Sequence, residues 1–321
     1  MATRILVTGS SGQIGTELVP RLRALFGADN VVAADQRAPR VPTRPDGPFV
    51  MLDTGNLDVM MAVAKDHRID TIYHLAALLS AKGEMNPRLA WEDNMEGLWN
   101  VLEVARTSGV RRVFWPSSIA AFGPDVPRTN TPQDAPLNPT TIYGVTKVAG
   151  ELLCNYFFLK FGVDVRSLRF PGLISDALPG GGTTDYAVEM FYAALKEGSY
   201  TCFLREDTVL PMMYMPDAMK AAVMLMGADP GHVPRHTGYN LSGVSFSAGE
   251  LAAEIRRHVP TFKVTYSPDS RQKIAESWPR SVDDSQARKD WGWNHDYDLP
   301  RMVTDLLSKL EPRLAPERKD V

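Results

Sequence analysis

Arg4-Ile5-Leu6-Val7-Thr8-Gly9-Ser10-Ser11-Gly12-Gln13-Ile14-Gly15 is the stretch that decides the fold. Ile5 to Val7 read as a buried strand. Glycines follow at 9, 12 and 15, and then an apolar-periodic helix runs through Leu18, Val19, Leu22 and Leu25. A glycine turn between a strand and a helix is the context in which such spacing carries meaning. Gly9 allows the tight turn, Gly12 lets the backbone approach a pyrophosphate, and Gly15 lets the helix pack closely on the strand. The helix N-terminus offers N–H groups and a positive dipole end to phosphates. A second strand, 31–34, ends in Asp35, 20 positions after Gly15. An acid there hydrogen-bonds ribose hydroxyls in dinucleotide-binding folds. The bland alternative is an ordinary glycine-rich turn, and Asp35 argues against it.

Working outward, the 321 residues suit one large α/β domain with a smaller appended part. Hydrophobic residues make up 44%, enough for a substantial core. A net charge of −3 argues against a nucleic-acid partner, which requires a basic face. Cys154 and Cys202 have no metal-ligand spacing and suggest no disulfide framework, so reduced thiols in a cytoplasmic protein and no bound metal are expected. The first strand begins so near residue 1 that no signal or transit peptide is expected. No apolar run reaches about 18 residues, so no membrane partner is expected either.

Strand and helix alternate through six strands, at about 5–7, 31–35, 49–52, 71–77, 112–116 and 164–170. That order predicts a Rossmann-type, doubly wound parallel sheet with helices on both faces. Residues 37–48 read as an Arg- and Pro-rich surface loop, 78–84 as a loop over the sheet edge, and 123–140 as an irregular surface segment. Helices are predicted over about 13–26, 57–67, 87–108 and 141–161. After about 175 the pattern loosens into a smaller α/β part. It has helices near 185–197, 217–226 and 299–310, a strand at 200–204, and a capping box, Ser247 to Glu250, opening helix 248–258. The last ten residues are charged and expected to fray. The division predicted is 1–175 for the cofactor and 176–321 mainly for the substrate.

Polar groups at the carboxyl ends of the strands sit where doubly wound sheets bind ligands. Asp53 could reach an adenine amino group or cap the next helix. His74 reads as a core histidine rather than a catalyst. Asn94, in mid-helix, faces solvent or holds backbone or water. The fifth strand delivers Ser117 and Ser118 to the same edge, and Tyr143 and Lys147, four apart, share a helix face. A Tyr hydroxyl has an ordinary pKa near 10. A neighbouring ammonium and an oxidised nicotinamide would both favour its phenolate, which could then act as general base toward an alcohol held by Ser118.

Gly9-x-x-Gly12-x-x-Gly15, Ser118 and Tyr143-x-x-x-Lys147 resemble the extended short-chain dehydrogenase/reductase superfamily, which includes sugar-nucleotide epimerases and dehydratases. Three later stretches resemble the short-chain-type L-threonine 3-dehydrogenases. They are 179–187, 210–217, and 271–279 followed by Asp283-Asp284-Ser285. The resemblance implies oxidation of L-threonine to 2-amino-3-oxobutyrate with NAD, within threonine catabolism, by Ser118, Tyr143 and Lys147. The cofactor residues it implies are Gly9, Gly12, Gln13, Ile14, Gly15, Asp35, Gln36, Asp53, Leu75, Ala76, Ala77, Asn94, Pro116, Tyr143, Lys147, Phe170 and Leu173. Ser80, Ser118, Tyr143, Gly181, Thr183, Thr184 and Trp278 would face the substrate. Thr183 or Thr184 could instead cap the helix near 185, and Trp278 could be core. The triple glycine 180–182 reads as a mobile segment that folds over the site. A homodimer through helices 87–108 and 141–161 is implied, although the apolar residues there could serve either the sheet or a partner. Two other readings stand beside this one. One is a nucleotide-sugar epimerase or dehydratase enlisting Arg205, Arg271 and Arg280. The other is a dinucleotide-sensing regulator without catalysis, which the Tyr/Lys pair disfavours.

Overall fold

The computed structural model describes residues 3–38 and 47–314. Most of the 37–48 loop and the last seven residues therefore lie outside the described residues. The chain opens with β1 (Ile5–Thr8), α1 (Gln13–Phe26), β2 (Val31–Asp35), β3 (Phe49–Met51), α2 (Leu57–Asp66) and β4 (Thr71–His74). Next come α3 (Ser80–Met85), α4 (Pro87–Thr107), β5 (Arg112–Ser118), α5 (Ile142–Phe161) and β6 (Asp164–Phe170). The remainder comprises β7 (Gly172–Ile174), α6 (Tyr186–Lys196), β8 (Ser199–Cys202), β9 (Val209–Tyr214), α7 (Met215–Gly227), β10 (Gly238–Asn240) and β11 (Val244–Ser247). It ends with α8 (Ala248–His258), β12 (Lys263–Tyr266), α9 (Arg271–Glu276), α10 (Ser285–Trp291) and α11 (Leu299–Leu314).

Seven strands form a parallel sheet in the order β10-β6-β5-β4-β1-β2-β3. Successive residues of a strand point to opposite faces. In β1, Ile5 and Val7 pack beneath α1 and α7, whereas Leu6 packs with α2, α4 and α5. This two-faced burial explains why the parallel strands carry so few polar residues. A third core joins α6, α8 and α11 to a three-stranded sheet, β11-β9-β7, and the pair β12-β8 lies nearby.

Several sequence expectations are corrected. The fourth strand stops at His74 rather than 77: Leu75 N makes the last bond to β1, at Thr8 O, where β1 itself ends in the glycine turn. The loop expected over 78–84 contains α3, whose first helical bond runs from Gly83 N to Leu79 O. The fifth strand runs on to Ser118, paired with Phe170 across the ladder. The strand placed at 200–204 lies at Ser199–Cys202, and α7 starts two residues earlier than expected, with Pro216 in its first turn. The connection from β2 to β3 has no helix among the described residues. The second half also returns one strand, β10, to the main sheet beside β6. Ser247 caps α8 reciprocally with Glu250, as its sequence indicates.

Candidate active site

The carboxyl edge of β1, β4 and β5 gathers the residues singled out above. Gly9 adopts φ +71°, and a Cβ on it would lie 2.6 Å from Ala76 N, so the turn after β1 presses against the end of β4. A Cβ on Gly15 would lie 2.5 Å from Gly9 O, which is why α1 seats so closely on its own turn. Gly12, the exposed N-cap, leaves the first turn of α1 without a side-chain cap, a cradle suited to an anion. Asp35 Oδ2 accepts from Ser11 N at 2.9 Å and Oδ1 from Arg37 N at 3.0 Å. Each oxygen keeps a lone pair for a ribose hydroxyl. The open glycine, the uncapped helix and the anchored acid together fit a dinucleotide.

Other groups are placed less simply. Asn56, not Asp53, caps α2, accepting from Val59 N; this corrects the helix-cap alternative for Asp53. Asp53 Oδ1 instead accepts from Gly55 N and from Gln36 Nε2 at 2.8 Å. Gln13 reaches across to Ser175 Oγ at 3.0 Å, while Ile14 and Leu173 are half-buried against the α1–α7 core. Leu75 and Ala76 are half-buried and Ala77 exposed, just past the end of β4. Asn94 is buried; its Oδ1 accepts from Leu78 N at 2.7 Å, and its Nδ2 donates to Leu78 O and Thr146 Oγ1, both at 3.2 Å. It therefore pins the chain between β4 and α3 rather than facing solvent. Phe170 packs edge-on to Phe114. His74 is fully buried with Nδ1 2.8 Å from Thr8 Oγ1, and burial pushes its pKa down to about 3, so it stays neutral as core.

Ser118, Tyr143 and Lys147 come together across β5 and α5. Thr141 Oγ1 caps α5 by accepting from Gly144 N, which sets Tyr143 in the first turn. Ser118 makes a side-chain hydrogen bond with the Tyr143 hydroxyl. Lys147 is buried; its Nζ donates to Pro116 O at 2.7 Å and stands 5.3 Å from the Tyr143 ring centroid and 4.6 Å from that of Trp115. Burial pushes Lys147 down to about 8. Burial pushes Tyr143 up to about 12 and the Ser118 hydrogen bond pulls it down. The lowering expected from a neighbouring ammonium does not set the direction: burial is the larger cause, and the Lys147 ammonium is turned to a backbone carbonyl.

Ser80 and Thr183 are buried with their hydroxyls 3.3 Å apart, although 103 residues separate them. Neither Thr183 nor Thr184 caps α6, contrary to that alternative: the N-cap is Asp185, with no side-chain cap bond. Asp185 was not anticipated. Its Oδ2 accepts from Gly181 N at 2.8 Å and Gly182 N at 2.7 Å, gathering the glycine segment toward the helix start. An acid three residues past the glycines was the available signal. Thr184 packs its methyl against Gly172, and Gly181 takes φ +103° beside the Lys82 side chain. Trp278 is buried in the third core, and its carbonyl accepts from Arg128 Nη2 at 2.8 Å. Among the described residues no cluster of His, Cys, Asp and Glu could hold a metal ion, and no helix is long and apolar enough to cross a membrane.

Residues 5–241 match the model of the NAD dependent epimerase/dehydratase family. An uncharacterized epimerase/dehydratase of Staphylococcus haemolyticus is 51% identical over 313 residues, spanning 97% of this chain and 98% of that protein. The crystal structure of L-threonine dehydrogenase from Phytophthora infestans is 54% identical, with TM-score 0.94 over 97% of this chain and 100% of its own. A monomeric L-threonine 3-dehydrogenase from a metagenome is 47% identical, with TM-score 0.93 over 96% and 99% of the two chains. With the glycine turn, Asp35 and the Ser118–Tyr143–Lys147 cluster in place, the chain belongs to the NAD dependent epimerase/dehydratase family.

Proposed function

We propose that this protein is an NAD-dependent L-threonine 3-dehydrogenase, oxidising the C3 hydroxyl of L-threonine to 2-amino-3-oxobutyrate in threonine catabolism. The observation that carries the reading is end-to-end likeness, at 54% identity and TM-score 0.94, to an L-threonine dehydrogenase. NAD supplies the hydride acceptor. Ser118 holds the C3 oxygen, Tyr143 takes its proton, and Lys147 supports the phenolate and the cofactor ribose. Gly9, Gly12 and Gly15 give the pyrophosphate its close approach and Asp35 takes the ribose. Gln36, Asp53, Leu75 to Ala77, Pro116, Phe170 and Leu173 complete the cofactor groove. Ser80, Gly181, Thr183 and Thr184 face the amino acid, while Trp278, packed in the third core, supports that side of the site from behind. The division near 175 separates the two roles, with β10 as the strand that ties the later part to the cofactor sheet.

A cytoplasmic homodimer belongs to the same proposal. Both cysteines are buried free thiols, which suits a reducing compartment. Leu152, Tyr156 and Leu159 stand exposed along α5, and Trp91 and Trp99 stand exposed along α4. The assay follows NADH absorbance with purified protein, NAD, and a panel of amino acids and sugar nucleotides. Turnover with L-threonine alone supports the reading. Conversion of a sugar nucleotide, followed by chromatography of the sugar because such enzymes re-oxidise their NADH within each turnover, would favour the epimerase/dehydratase alternative, against which Arg205 and Arg271 are already occupied by Glu276 and Asp269. Tight NAD binding with no turnover of any substrate would favour the regulator.

A further inference from the structure

One turn beyond Lys147 lies a charged cluster that the proposed chemistry does not use. Glu151 stands four residues past Lys147 and eight past Tyr143, on the same face of α5. It is 1% exposed and held from two sides. Ser117 Oγ donates to its Oε1 at 2.6 Å. Arg169 grips both oxygens, Nε on Oε1 at 2.8 Å and Nη2 on Oε2 at 2.7 Å. Ser117 is the neighbour of Ser118 in β5, and its partner across the ladder is Arg169. Arg169 is anchored in turn, donating to Gln133 O at 2.9 Å and Asn240 Oδ1 at 3.1 Å. A buried ion pair adds little stability over an apolar replacement, so another role accounts better for this one.

The cluster bears on the site by geometry and by charge. Ser117 and Glu151 tie the end of β5 to α5. The tied strand carries Ser118 and the Pro116 carbonyl; the tied helix carries Tyr143 and Lys147. The groups facing Lys147 are Glu151 and Cys154 from α5, the Tyr143 and Trp115 rings, and His74 from β4. Burial favours loss of the Lys147 proton, while Cys154 and Glu151 favour its retention. Cys154 is kept a neutral thiol by burial and His74 is neutral, so among these groups the negative charge at working pH is that of Glu151. Its own partner, Arg169, lies on β6.

We propose that Glu151, clamped by Ser117 and Arg169, is a positioning residue that holds Ser118, Tyr143 and Lys147 in one frame and keeps the Lys147 ammonium charged in its buried seat. The proposal rests on the reading of Tyr143 and Lys147 as the catalytic pair.

The test uses the full chain as wild type, Glu151→Gln, Ser117→Ala and Tyr143→Phe. The carbon-13 resonance of the Lys147 ε-carbon, assigned through Lys147→Arg, is titrated without substrate, and kcat/KM for threonine is profiled against pH. In Glu151→Gln the Lys147 titration is expected about one pH unit lower, a tenfold loss of proton affinity. Its kcat should fall about ten- to a hundredfold, with the acid limb of kcat/KM displaced to higher pH. Ser117→Ala, which leaves the ion pair whole, should lower kcat several-fold and leave the Lys147 titration in place. Should the unpaired Arg169 unfold Glu151→Gln, the double variant Glu151→Gln/Arg169→Met buries no lone charge and should show a displacement in the same direction, smaller because a like charge leaves with Arg169. An unchanged Lys147 titration in whichever variant folds overturns the proposal, as does a lowered Tm with wild-type kcat per folded molecule. If Tyr143→Phe keeps wild-type turnover while Lys147 shifts as expected, the charge role of Glu151 stands and the catalytic reading fails.

Discussion

Tyr143 and Lys147 are both burdened by burial, in opposite senses. A phenol driven up to about 12 and an ammonium driven down to about 8 are each least charged when the groove is dry. A base that works as phenolate loses activity as pH falls, so kcat/KM should rise with pH and level off once Tyr143 ionises. The level should be reached well below 12, since the cation of the oxidised nicotinamide stabilises the phenolate. Tyr143→Phe keeps the ring and removes the proton acceptor. It should fold, bind NAD, and lose about 10²–10⁴-fold in kcat; steady-state kinetics beside NAD titration decide this, and near wild-type turnover would take the tyrosine out of its role. At the ribose end, Asp35 already holds two backbone N–H groups and still presents charge to whatever binds there. A 2′-phosphate would meet that charge. NAD should therefore be preferred over NADP, and Asp35→Ala should narrow the kcat/KM ratio by about tenfold or more.

At the scale of elements, α1 does two jobs. Its first turn is the one proposed to receive the cofactor, and its second sets Glu17 beside Asp176, just past β7, close to Lys309 and Arg313 of α11. Burial, and next Asp176, push Glu17 up to about 7, and its Oε1 is buried without a hydrogen bond. An acid whose pKa is raised in the fold is most favourable to folding while protonated. Stability should thus be full below 4.5 and decline as pH rises toward 7. Glu17→Gln should stabilise the protein by about 2–3 kcal/mol at pH 8 and by nothing near pH 4; denaturant melts at the two pH values measure it. The glycine segment offers a second test. Gly181 occupies a backbone region costly to other residues, and Ala there would also place Cβ 2.8 Å from Lys82 Cε. A cost of about 1–3 kcal/mol falls on this arrangement. If the segment closes over threonine, Gly181→Ala should change kcat and KM for threonine and leave NAD affinity nearly unchanged. Hydrogen exchange across 178–187 should show protection gained with both ligands; equal protection with and without them would leave the substrate held by rigid groups.

For the whole molecule, the choice between sheet and partner divides by face: Leu89, Trp91 and Trp99 of α4 are exposed, whereas others of that helix are not. Leu98, Val101, Leu102 and Ala105 of α4 are buried against the sheet. Leu152 and Leu159 of α5 are 63% and 73% exposed, and Tyr156 lies on the same face. A contiguous apolar surface of this kind marks an interaction site more often than bare solvent exposure. Light scattering at micromolar concentration should report two chains, and Leu152→Glu/Leu159→Glu should report one with its fold kept. A wild-type monomer would align this protein instead with its monomeric relative.

By itself the sequence settles what depends on neighbours along the chain. The glycines at 9, 12 and 15, Asp35 after the second strand, the Tyr143–Lys147 spacing and the Ser247–Glu250 cap are all read within one strand or one helical turn, where backbone geometry dictates the period. The doubly wound sheet follows from their order. Tertiary structure decides what depends on register and loop closure. Residues 238–240 are too short to show a period, yet β6 has a free edge and they pair with it. Ser80 meets Thr183, and Glu151 meets Ser117 and Arg169, only because the sheet has set their elements side by side. Burial, likewise a property of the packed whole, then sets Tyr143 and Lys147 far from their ordinary ionisation, which no spacing in the chain announces.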